Sequence, residues 1–116
     1  MITVEEICTR WSGAVESNKL MALLPLLEYG YPAALEHSKD TPLEQANFSA
    51  LIEYALNWPI GGGWSLLAIE WLECGFPMNS AISESLLLNS NNKKKFLQNE
   101  RHRSQNLVSK FNKASQ

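Results

Sequence analysis

The sequence predicts an all-α domain of five to seven helices stacked as antiparallel hairpins, in a short α-solenoid or an irregular bundle. Three observations lead there. Apolar residues recur at helical spacing along most of the chain. Helix-start chemistry occurs twice, as Thr3-Val-Glu-Glu6 and Thr41-Pro-Leu-Glu44. Glycine or proline closes the helical runs at Gly30, Pro59 and Gly75. With 116 residues, 45% of them hydrophobic and 19% charged, one core can be buried without cross-links, so a single domain over 1–116 is expected.

In chain order, Thr3 can accept from the third helical amide while Glu6 reaches back, and Val4, Ile7, Trp11 and Ala14 or Val15 then share one face. This first helix should fade near Ser17-Asn18. The run from Lys19 to Tyr29 is nearly all apolar, but Pro25 removes an amide and crowds the preceding turn, which predicts a kink or a restart. Gly30 supplies a left-handed stop. Pro32 opens a short turn through Leu35, and His37-Ser-Lys-Asp40 breaks it.

Thr41, with proline in the first helical position, predicts a helix to about Asn57, with Gln45, Ser49, Glu53 and Asn57 as its polar strip. Pro59 ends that helix and Gly61-Gly-Gly63 reverses the chain. No Gly-Lys-Ser/Thr follows the glycines and no strand precedes them, so a phosphate loop is not expected. The stretch from Trp58 to Pro77 carries three tryptophans, and between Trp64 and Cys74 only Ser65, Glu70 and Glu73 are polar. A helix there must be covered on most of its circumference, making it the spine of the domain. Leu51, Ile52, Ala55, Leu67, Trp71 and Leu72 are the expected core of this central helix pair.

Asn79 and Ser80 can cap a helix carrying Ile82, Leu86, Leu87 and Leu88, with Asn89-Ser-Asn-Asn92 interrupting it. A last helix is expected from Lys93, anchored by Phe96 and Leu97 at one end and by Leu107, Val108 and Phe111 at the other, with a wet middle and a frayed end over 112–116.

An offset of 45 residues lays Leu26-Leu-Glu-Tyr-Gly-Tyr-Pro32 on Trp71-Leu-Glu-Cys-Gly-Phe-Pro77. Both read as helix C-termini: glycine caps, an aromatic folds back and proline prevents continuation. The period lies where HEAT and armadillo units lie, and Leu26-Leu-Glu-Tyr-Gly30 resembles the end of the second helix of an ankyrin repeat.

Charge is divided along the chain. Residues 1–90 hold eleven acids against Arg10, Lys19 and Lys39, a net of −8, whereas residues 91–116 hold seven cations against Glu100, a net of +6. The chain is thus an acidic body with a basic C-terminal helix over 93–113. Cys8 and Cys74 lack metal or redox spacing and read as buried thiols in a reducing compartment. The N-terminal MITVEEICTR is acidic where a signal peptide is basic, and no apolar run reaches membrane-spanning length, so a cytoplasmic protein with no membrane partner is expected.

Catalytic chemistry finds little support. His37 and His102 have no companions that would form an acid/base or nucleophile pair. Glu70 and Glu73 lack the histidine that would complete a carboxylate metal site. No enzyme, cofactor or metal is expected.

The region from Leu56 to Arg103 resembles the small helical immunity proteins of contact-dependent growth inhibition and, more broadly, small helical antitoxins. That resemblance implies a single domain that binds one cognate toxin, often a nuclease, and occludes its active site. An acidic body suits a basic partner, because complementary charge speeds encounter and fixes orientation. Glu53, Glu70 and Glu73 are the carboxylates left on the uncovered strips of the two central helices, Glu28 joins them if the repeat is structural, and Asp40 and Glu44 lie at the neighbouring helix start. Trp64 would be the rigid anchor beside them. The alternatives are nucleic-acid binding through Lys93, Lys94, Lys95, Arg101 and Arg103, disfavoured by the −8 body, and a small helical adaptor. A further alternative is that the basic tail folds onto the acidic body of its own or a neighbouring subunit.

Overall fold

The computed structural model describes residues 2–59 and 63–114. Within them run α1 (Val4–Gly13), α2 (Lys19–Leu23), α3 (Ala33–His37), α4 (Gln45–Leu56), α5 (Gly63–Glu73), α6 (Ser80–Ser90) and α7 (Gln98–Ala114). There is no strand among the described residues, so the all-α bundle read from the sequence is the fold. Gly61 and Gly62 of the expected reversal lie outside the described residues, as do Ser115 and Gln116 of the expected fray.

The Thr3 hydroxyl accepts from the Glu6 amide at 3.2 Å and starts α1, which buries Val4 and Ile7. The helix stops at Gly13, earlier than its apolar pattern suggests. Lys19 closes it from outside, donating to the Trp11 carbonyl at 3.1 Å with its ammonium over the Trp11 ring. The expected break at Pro25 is present: α2 gives way to a 3₁₀ segment, Leu24–Tyr29, whose Leu24, Leu26 and Leu27 are buried. Gly30 closes that segment with φ +77° and ψ 167°, a backbone open to glycine but outside the left-handed helical region expected for it.

The second helix start moves. Thr41 donates to the Ser38 carbonyl at 2.6 Å and accepts from Leu43, closing the turn after α3. Glu44 is the N-cap of α4, and its backbone amide donates to the Asn47 side chain at 2.7 Å. An asparagine three residues on returns the capping bond as a Glu or Gln would, so the helix starts later than Thr41 suggested.

Helices α4 and α5 are an antiparallel pair. Ser65 donates to the Ala55 carbonyl at 2.8 Å near their junction, and Phe48 and Trp71 bring their rings to 6.3 Å at the far end. Leu51, Ile52, Ala55, Trp71 and Leu72 are buried as expected, while Leu67 is half-buried because it lies at the edge of the packed face. Trp71 is the hub: its ring meets Tyr31, Phe48 and Phe76, and its indole N–H donates to the Leu27 carbonyl at 3.1 Å.

The two copies of the 45-residue pattern therefore pack on each other. Tyr31 and Phe76 meet edge to face at 5.5 Å, beside Gly75, whose φ of +108° is a backbone that favours glycine. One copy ends a 3₁₀ segment and the other an α-helix.

Asn79 caps α6 by accepting from Ile82 at 2.8 Å. The polar run after Leu88 ends the helix as expected, with Ser90 its last residue and Asn91 its C-cap. Asn89 is buried, and its amide donates to the Leu56 carbonyl at the end of α4 at 2.9 Å. Ile82 and Leu86 are buried, whereas Leu87 and Leu88 are 51% and 69% exposed. The packed faces of α6 use Ser83, Ser85 and Ser90 instead, small residues that let α4 and α7 approach closely.

Helix α7 also departs from expectation. It begins at Gln98, because Lys93 to Phe96 form a turn and Glu100 caps the helix by accepting from the Leu97 amide at 3.0 Å. Its middle is docked rather than wet. Glu100, Ser104 and Leu107 make a buried stripe, while Leu97, read as an anchor, is 71% exposed. The stripe is mostly polar, so hydrophobic periodicity did not register it.

Candidate partner-binding surface

The antiparallel register of α4 and α5 places the candidate carboxylates. Ser65 beside Ala55 and Trp71 beside Phe48 put Glu53 next to the first half of α5, and Glu70 and Glu73 next to the first turn of α4. Glu53 and Glu73 are thus separated along the pair by roughly six residues of helix rise, about 9 Å. Glu44, the cap of α4, lies at the Glu73 end. So does Glu28, which follows the residue whose carbonyl receives the Trp71 bond. Asp40 is exposed in the loop leading into that end. Trp64, half-buried against the core in the first turn of α5, lies at the Glu53 end. Along the axis of the central pair, Glu28, Glu44, Glu70 and Glu73 therefore lie towards one end, and Trp64 with Glu53 towards the other.

Glu73 already has a partner within the chain. Arg103 of α7 grips its carboxylate with two guanidinium nitrogens, Nε donating to Oε2 at 3.0 Å and Nη2 to Oε1. This is the only ion pair among the described residues. The Arg103 hydrogen bond holds the Glu73 carboxyl below its ordinary range; desolvation opposes it with a smaller upward push, and the positive charges of Arg103 and then Lys110 add lesser lowering. Glu70 lies within electrostatic reach of the same guanidinium.

Lys95 is drawn in as well. Its ammonium donates to the Leu56 carbonyl at 3.1 Å, lies 4.8 Å from the centre of the Phe96 ring, and is pushed down from its ordinary pKa by burial. A cation at the C-terminus of α4 complements the negative end of that helix. Arg101 is half-buried, and its Nε is buried without a hydrogen-bond partner. The basic tail is thus folded onto the body, one of the arrangements its charge suggested. The residues that complete this contact, Arg103 above all, were legible as a basic run but not as partners of a particular carboxylate.

Glu53 has a different setting. It lines a groove of about 280 Å³ with Leu20 of α2 and Ala50, Tyr54 and Asn57 of α4. Tyr54 stacks obliquely on Trp58 with ring centres 5.8 Å apart, which stiffens one wall. Asn57 ties the groove to α6 by donating to Ser85 at 2.9 Å. The i, i+4 spacing of Glu53 and Asn57 was visible in the sequence, but the contribution of Leu20 was not, because it arrives from another helix. A second cleft, of about 380 Å³, lies between the start of α1 and the Tyr29–His37 ring pair.

Among the described residues no group of His, Cys, Asp and Glu is placed to hold a metal ion, and no helix is long and apolar enough to cross a membrane. The two thiols are not equally buried. Cys8 is half-buried, but Cys74, just past α5, is exposed, because the chain turns away at Gly75 and leaves the last residue of the spine uncovered. No protein-family model matches the chain, nor does any curated protein or solved structure.

Proposed function

We propose that this chain is a partner-binding helical module of the immunity or antitoxin kind, one that docks a basic protein on its acidic body and covers that protein's working surface. A nuclease toxin is the partner class that the immunity-protein resemblance suggests. The observation that carries the reading is the fate of the two charge blocks. Of the seven tail cations, Lys95 and Arg103 are held in internal contacts and Arg101 is half-buried, leaving Lys93, Lys94, Lys110 and Lys113 exposed, whereas Glu28, Asp40, Glu44, Glu70 and Glu84 are among the carboxylates exposed on the body. A surface left with carboxylates attracts cationic partners and repels a polyanion, which favours protein over nucleic acid.

The test uses a basic nuclease domain encoded beside the gene, co-expressed with this protein and then mixed with it for kinetic binding. Protection of the cells and fast, salt-sensitive association are expected. Replacing Glu28, Asp40 and Glu70 with lysine should slow association while the helical signal stays intact, since none of the three caps a helix or holds an ion pair among the described residues. Glu73 is left unaltered because reversing it would break the Arg103 contact. Full protection by the triple variant would remove that end of the molecule as the docking surface. Tight binding of generic RNA at physiological salt, lost on replacing Lys93, Lys94, Lys110 and Lys113 by alanine, would favour the nucleic-acid reading instead.

A further inference from the structure

The groove at Glu53 presents two acceptor groups that no other side chain among the described residues engages. The Asn57 amide nitrogen donates both to the Glu53 backbone carbonyl at 2.9 Å and to Ser85 Oγ at 2.9 Å. A carbonyl can only accept, so the amide nitrogen is the atom facing it, and Oδ1 is left as a free acceptor. Neither that oxygen nor the Glu53 carboxylate has a donor among the described residues. Lys19, the sequence neighbour of Leu20, is turned away to the Trp11 carbonyl and ring. Around these two acceptors the walls are apolar or aromatic, from Leu20, Ala50 and Tyr54. At about 280 Å³ the space falls just below the ~300–1,000 Å³ of sites for small-molecule ligands, and it suits one long side chain better than a cofactor.

From this balance we infer that the groove between α2 and α4 is the seat for an arginine side chain of the protein partner. The inference rests on the partner-binding reading above and names the chemistry of the contact. An arginine has an aliphatic stem to lie along Leu20 and Ala50 and a planar guanidinium that stacks on a tyrosine face. Its several donors can serve a carboxylate and an amide oxygen together. A lysine offers one compact charge without the planar fork, and a neutral side chain leaves the carboxylate with no counter-charge.

The experiment needs no partner protein. Isotope-labelled full-length protein is titrated with the capped dipeptide leucyl-arginine amide while backbone amide signals are followed by NMR. Leucyl-citrulline amide, which has the same shape without the charge, serves as control. Saturable shifts centred on Leu20, Ala50, Tyr54 and Asn57 are expected for arginine, with citrulline about tenfold weaker or more, as befits loss of a charge-assisted bond. Glu53→Gln, an isosteric change at a half-buried position, should weaken the arginine peptide by a similar factor with the helical signal unchanged.

Equal shifts from both peptides would overturn the assignment. So would full-strength binding to E53Q, arginine shifts confined to the Glu28, Glu44 and Glu70 end, or no shifts at all. This titration can fail while a basic protein still docks through the exposed carboxylates. Conversely, groove binding without capture of any basic nuclease would sink the partner reading and leave the groove.

Discussion

Replacing Trp71 with alanine removes the residue on which α5, α4 and the 3₁₀ segment all converge. The side chain is 1% exposed, has three aromatic rings within 6.3 Å of its own, and donates to the Leu27 carbonyl. Truncating a buried tryptophan costs about 3–5 kcal/mol through lost burial and the cavity left behind. Leaving the Leu27 carbonyl without its donor adds about 1–3 kcal/mol unless water enters. The total, about 4–8 kcal/mol, is comparable with the whole stability of an ordinary domain, about 5–15 kcal/mol.

Equilibrium urea unfolding followed by far-ultraviolet circular dichroism is the appropriate assay, since removing a tryptophan alters the fluorescence baseline. With a slope of about 2 kcal/mol per molar urea, even a 4 kcal/mol loss lowers the midpoint by about 2 M. Trp71→Phe separates the two contributions, because it keeps much of the ring packing and removes the donor. It should fall between the wild type and W71A. An unchanged midpoint for W71A would refute Trp71 as the hub, and a phenylalanine variant as damaged as the alanine variant would refute the cavity as the main cost.

Glu73→Gln should lower the melting temperature at neutral pH by a difference that shrinks on acidification. The folded carboxyl titrates below its ordinary value of 4.5, so its contribution is complete above that value and is lost as pH falls through the lowered one. Melting curves of wild type and variant taken across that range check it, and a constant difference would mean that the Arg103 pair is not responsible. Asn79→Ala should destabilise by about 1 kcal/mol, the usual cost of losing an N-cap, and Asn79→Ser should recover most of it. On α6, Leu86→Ala should cost about 2–5 kcal/mol by urea unfolding, whereas Leu88→Ser should stay within about 0.5 kcal/mol of wild type. The two leucines are two residues apart, but one is fully buried and the other 69% exposed.

Local chemistry is what the sequence by itself determined. Thr3 and Asn79 act as caps, Pro25 converts α-helix to 3₁₀, and positive-φ glycines close two helical segments, because each effect depends on residues within one or two turns. The core of the central pair was legible for the same reason: α4 and α5 are so nearly apolar that their burial follows from composition.

Tertiary structure decided which polar residues are buried and which leucines are not. Asn89 belongs to a packed face because the distant Leu56 carbonyl accepts from it, whereas Glu100 and Ser104 are satisfied within their own helix, by the Leu97 amide and the Glu100 carbonyl, and are buried because α7 packs on α6 and α5. The candidate surface divides similarly. Its acidity could be read from the chain, but the pairing of Glu73 with Arg103, thirty residues away, and the open groove at Glu53 exist only because α7 folds back on α5 and α2 lies beside α4. Charge and spacing name the candidates, and packing determines which of them are already satisfied and which still face solvent without a partner.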